Sequence, residues 1–185
     1  MTKALSSDFH SDVPDIALAL VGIHTLIHDC GIDRKLSHLV MLRASQINQC
    51  GYCVEMHTRE ARDDGETNER LDQLIVFRQS ANFSDKERAA LEWTEILTSL
   101  SPSAEYKKVK NTLLEYFSRK QLAALTALIG MINTWNRIQI STHQSICLMT
   151  TPQKSSNIIA QNSWVLPIVF WARCRTQKTL FRTFF

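Results

Sequence analysis

Apolar residues recur along this chain at intervals of three and four, the period of a helix that buries one face, and the alternation that marks a strand is nearly absent. Glycine and proline are scarce, at five and four, and the strong punctuation marks fall between the periodic stretches. The pattern predicts an all-α fold of about six or seven helices. A first helix starts near Pro14, a residue suited to the first helical position, and runs to about Cys30, where Gly31 stops it. A second follows Asp33 as N-cap and carries His38, Leu39, Leu42 and Arg43 toward Ile47. Asn48 reads as the next cap, with Cys50 to Asp64 as a third helix closed by Gly65.

Thr67 caps a fourth, short helix through Phe77. Ser84 with Glu87 three residues on makes a capping box for a fifth that ends before Pro102. A sixth spans roughly Ser103 to Phe117. Ser118 with Gln121 opens a seventh, apolar along Leu122, Leu125, Leu128, Ile129, Ile132 and Trp135, which reads as the central helix. After Thr150 the periodicity dissolves. We expect one helical domain over residues 1–145 and an irregular, basic and apolar C-terminal tail over 146–185.

Length supports this reading, because 185 residues that are 44% hydrophobic suffice for one substantial core and not for two. Charge refines it. All 18 acidic residues lie at or before Glu115, whereas the last segment, from Cys147, carries five basic residues and no acid. The part before it therefore has a net charge near −2, which is not the balance of a nucleic-acid binder. The stretch around Ile16 to Ile23 is broken by Gly22 and preceded by Asp8, Asp12 and Asp15, unlike a signal peptide. The longest apolar run, Trp164 to Ala172, is far shorter than the ~20 residues of a membrane span. Five cysteines in no regular framework fit a reducing compartment, so a cytoplasmic location is expected.

The candidate chemistry is Cys50-x-x-Cys53-x-x-x-His57. Spacings of three and four stack these side chains on one helical face, so they can react together. A thiol near the usual pKa of about 8.5 is only slightly ionised at neutral pH, and a helix N-terminus contributes roughly 0.3–1 kcal/mol, less than one pKa unit. An imidazole that accepts the proton supplies the remainder, which assigns His57 as base. Cys53, one turn from His57, is then the expected nucleophile toward a peroxide, and Cys50 the thiol that resolves the sulfenic acid. Two other readings stay open: a pair of buried, inert cysteines, and a zinc or redox-sensing site in which His38 is a fourth ligand. His24 and His28, also four apart, read as a partly exposed helical face.

The segment LVMLRASQINQCGYCVEMHTREARDDGE resembles the core of the alkylhydroperoxidase D/carboxymuconolactone decarboxylase family. The resemblance continues through FSDKERAALEWTEILT and MINTWNRIQIS, covering about Pro14 to Ser141. It implies an all-helical fold that assembles into homo-oligomers, trimers or hexamers, and reduction of a hydroperoxide by a Cys pair recharged by a dithiol or lipoyl-type reductant. No metal or organic cofactor is implied, and neither a nucleic-acid partner nor a membrane span. On this resemblance Cys50, Cys53 and His57 fall on the family's dithiol and histidine, and His38 stands where a proton-relay glutamate is usual. A His can relay protons but cannot supply a fixed negative charge to His57. Tyr52 replaces a His found in alkylhydroperoxidase D itself, and the lactone-decarboxylase branch generally lacks the Cys pair. Arg43, Gln46, Asn48, Trp135, Asn136 and Arg137 also match the pattern and are expected to cap helices and hydrogen-bond around the site.

Overall fold

A computed structural model describes residues 9–142. The tail expected after residue 145 lies outside the described residues. Eight α-helices follow one another, with no strand among the described residues: α1 Phe9–Asp12, α2 Pro14–His28, α3 Arg34–Ile47, α4 Gly51–Asp63, α5 Asn68–Gln73, α6 Asp85–Ser99, α7 Tyr106–Tyr116 and α8 Arg119–Ser141. The all-α expectation holds. The additional element is the single turn α1, too short to leave a periodic signal.

Local chemistry sets most of the boundaries. Asp33 caps α3 by accepting the Leu36 N–H at 3.0 Å, Thr67 accepts Arg70 N–H at 3.2 Å, and reciprocal boxes start α6 and α8 at Ser84/Glu87 and Ser118/Gln121. Two expected boundaries shift. The sixth predicted helix begins at Tyr106 rather than Ser103, because Ser101 and Ser103 join their hydroxyls and Tyr106 donates its phenol to the Ser101 carbonyl, holding those residues in a turn. The fourth ends as α5 at Gln73 and passes into a 3-10 turn over Leu74–Val76.

α3 is the hub, packing against α4, α6 and α8. Leu36, Val40, Met41 and Ala44 enter a large core with Trp93, Leu113, Leu125, Leu128, Ile129 and Ile132. Leu39 and Leu42, on its other side, enter a smaller core with Leu71, Leu74, Phe77, Phe83 and Leu91. α8, expected to be central, shares this role with nine buried residues of its own. Among the described residues no helix is long and apolar enough to cross a membrane.

Candidate active site

The turn between α3 and α4 presents the two cysteines. Asn48, not yet part of α4, closes α3 as its C-cap, and Gln49 follows with φ of 56°, in the left-handed region. The Gln49 N–H reaches the Gln46 carbonyl at 3.2 Å and the Cys50 N–H reaches the Ser45 carbonyl at 3.1 Å, which is a Schellman closure. The same closure ends α4, where Gly65 takes the left-handed position. Cys50 is thus at once the last residue of one motif and the N-cap of the next helix, in place of the expected Asn48. Its Sγ accepts the Cys53 N–H at 3.4 Å.

A buried polar network pins that turn to α8. Asn48 Nδ2 donates to Asn133 Oδ1 at 2.9 Å and to Asn136 Oδ1 at 2.8 Å, while Asn136 Nδ2 donates to Ser45 Oγ at 3.0 Å. Arg137 donates to the Asn133 backbone carbonyl and side-chain oxygen, and Arg43 binds Gln46 and Glu95. These residues hold helix ends and neighbouring side chains in place, as their pattern suggested.

Cys50 and Cys53 are joined as a disulfide with their Cα atoms 5.3 Å apart. Both are buried, at 2% and 1% exposure, and His57 one turn further is 5% exposed. α4 differs here from its neighbours: its buried residues are Cys53, His57 and Ala61, so sulfur and imidazole occupy positions that leucines fill elsewhere. A surface depression of about 670 Å³ opens beside Tyr106, Lys108 and Asn111 at the start of α7, and neither the sulfurs nor the imidazoles line it.

His57 Nδ1 lies 2.9 Å from Glu60 Oε2. A carboxylate only accepts, so Nδ1 carries the proton and Nε2 keeps a lone pair. That Nε2 is buried without a hydrogen-bond partner. The charge that His38 cannot supply to His57 is therefore present on α4 itself.

His38 is 3% exposed and bonds through Nε2 to Asp64, the C-cap of α4, which also pairs with Arg34. Burial pushes the His38 pKa below its usual value, against the hydrogen bond it donates to Asp64, so the ring is neutral at neutral pH. Its bond to Asp64 links α3 to the end of α4 rather than to a cysteine. Cys53, His57, Glu60 and Asp64 continue one spacing of four, three and four, so Glu60 and Asp64 were readable from the pattern that gave Cys50, Cys53 and His57.

His24 is half-buried, in keeping with the expected partly exposed helical face. Its Nε2 accepts the Trp135 indole N–H at 2.9 Å, and burial, reinforced by the nearby His57, pushes its pKa down to about 4. His28 stays exposed. Tyr52, between the cysteines, is pushed up to about 12 by burial and remains a neutral phenol. Among the described residues no group of three or more His, Cys, Asp or Glu side chains is arranged to hold a metal ion.

The model of the carboxymuconolactone decarboxylase family matches residues 14–95. A crystal structure from Agrobacterium tumefaciens, of a protein of unknown function and a candidate antioxidant defence protein AhpD, is 31% identical; the match covers 76% of this chain and 96% of that one, with a TM-score of 0.71. The chain belongs to the carboxymuconolactone decarboxylase family. Among curated proteins, YdfG of Bacillus subtilis is 29% identical over 133 residues, 72% of this chain and 90% of its own length. The debrominase Bmp8 shares the fold, at 22% identity and a TM-score of 0.64 over 71% of each chain.

Proposed function

We propose that this family member is a thiol-dependent peroxidase that reduces hydroperoxides through Cys50 and Cys53 and is recharged by a dithiol or lipoyl-type reductant. The observation that carries the reading is the dithiol next to an imidazole with an open, buried Nε2 and a carboxylate behind it.

In the reduced protein His57 Nε2 takes the Cys53 proton. The thiolate attacks the terminal peroxide oxygen, the O–O bond breaks, and the departing alkoxide takes up a proton to leave as an alcohol, with Cys53 as sulfenic acid. The Cys50 thiol then attacks Cys53 sulfur, water leaves, and the disulfide forms. The external dithiol returns two electrons and two protons by exchange. Cys50 is suited to the exchange step, because its sulfur caps α4 and the Cys53 N–H stabilises negative charge there. His38 with Asp64 buttresses the far end of α4 and offers a neutral ring as proton relay.

The burial of both sulfurs selects for a small oxidant, and reaching them requires local opening around Gly51 and Tyr52, which are exposed and half-buried. Consumption of tert-butyl hydroperoxide with dihydrolipoamide as reductant tests the proposal. Turnover in the wild type that disappears in Cys53→Ser supports it, and no turnover with any dithiol contradicts it.

A further inference from the structure

Two imidazoles on different helices have tautomers fixed by their partners, and the two are complementary. Glu60 only accepts, so His57 presents a lone pair at Nε2. Trp135 Nε1–H only donates, so the His24 lone pair lies at Nε2 and the proton at Nδ1. The His24 Nδ1–H has no hydrogen-bond partner among the described residues, and unlike His57 Nε2 it is not among the sealed, unpartnered atoms. His24 on α2 feels the charges of His57 and Glu60 on α4. Its partner Trp135 adjoins Asn136, which bonds the Asn48 and Ser45 that hold the Cys50 turn, so a donor on α2 lies near the acceptor on α4. The tautomer is held firmly, because Trp135 is itself fixed by stacking on His10 at 5.8 Å and by the edge of Phe9 at 6.2 Å.

We infer that His24 is a further catalytic residue of this site, whose neutral Nδ1–H donates a hydrogen bond to the peroxide oxygen that departs as alkoxide. The inference rests on the peroxidase reading and divides its labour: His57 removes the thiol proton and His24 stabilises the charge that develops on the leaving oxygen. Attack by sulfur pushes the O–O electron pair onto that oxygen, and the alcohol is completed by the proton His57 took from Cys53, so no external acid is consumed. A neutral donor suits this role, since its low affinity for protons keeps it from competing with His57 for that one. Trp135 is then a positioning residue that acts through His24.

Single-turnover oxidation of the reduced full chain tests this with two oxidants that differ in their leaving group. The alkoxide released from tert-butyl hydroperoxide needs a donor, whereas acetate released from peroxyacetic acid does not. His24→Leu is expected to slow the hydroperoxide reaction by roughly a hundredfold and the peracid reaction far less. His24→Gln, which keeps an acceptor for Trp135 and a donor for oxygen, should recover much of the loss. Trp135→Phe, which frees the His24 tautomer, should shift the two rates in the same unequal way and carries the test where the leucine variant does not fold. Equal slowing with both oxidants, or none, overturns the inference while the wild type remains a peroxidase. A wild type inert to both oxidants overturns the peroxidase reading and this inference with it.

Discussion

Glu60 holds the Nδ1–H of His57 at 2.9 Å from three residues further along the same helix, so the imidazole nearest the cysteines has a carboxylate behind it. In the proposed mechanism the pair fixes the tautomer in which Nε2 is the base and stabilises the imidazolium that forms when Cys53 loses its proton. Glu60→Gln keeps the shape and removes the charge. It is expected to lower the rate of Cys53 oxidation by about tenfold or more. Stopped-flow rates with a small hydroperoxide check this, and an unchanged rate removes Glu60 from the account.

The turn before Cys50 uses glutamine at φ 56°, where the matching turn after α4 uses glycine. A side chain in the left-handed region costs roughly 1 kcal/mol, which glycine avoids. Gln49→Gly is therefore expected to stabilise the protein by up to about 1 kcal/mol, read as a higher urea midpoint at unchanged slope. A destabilised variant would mean that the Gln49 side chain contributes more than the backbone strain.

Asn136 is fully buried and joins Asn48 to Ser45 across α3 and α8. Asn136→Leu removes both bonds and leaves polar atoms of Asn48 and Ser45 short of a partner, an expected loss of about 1–3 kcal/mol. Equilibrium unfolding measures it, and the altered turn should also slow disulfide formation between Cys50 and Cys53. Wild-type stability in this variant would contradict the pinning role of the network.

The pH dependence of stability follows from His24 and His38, whose folded pKa values both lie below the usual 6.5, His24 at about 4. Both bind protons more readily when unfolded, so their neutral burial is fully favourable above pH 6.5 and is lost as pH falls from 6.5 toward 4. His24→Leu should flatten the fall in urea midpoint between pH 7 and pH 4.5 relative to the wild type. Identical curves would show that His24 titrates normally.

The helices were legible because their signals are local. Caps at Asp33, Thr67, Ser84 and Ser118 bond within one turn, so sequence and structure agree at each of them. The same holds for Cys50, Cys53 and His57, which share a helix and a face. Glu60 and Asp64 lie on that stripe too but were not singled out, because charged residues near a helix end read first as a solvated face. His24 was not legible in this way, since its partner Trp135 is 111 positions away and only the packing of α2 on α8 joins them. The Cys50 cap was hidden for a related reason: Asn48 is the stronger capping residue by type, yet the closure of α3 claims it first.

The central claim concerns what the two sulfurs do when an oxidant arrives. Reduced protein mixed with one equivalent of tert-butyl hydroperoxide and followed by intact mass and free-thiol count tests it directly. The account predicts loss of the Cys50 and Cys53 thiols together, with a mass decrease of two hydrogens, and a trapped sulfenic acid at Cys53 when Cys50 is replaced by Ser. Thiols that persist while a small reference dithiol is oxidised under the same conditions would contradict it.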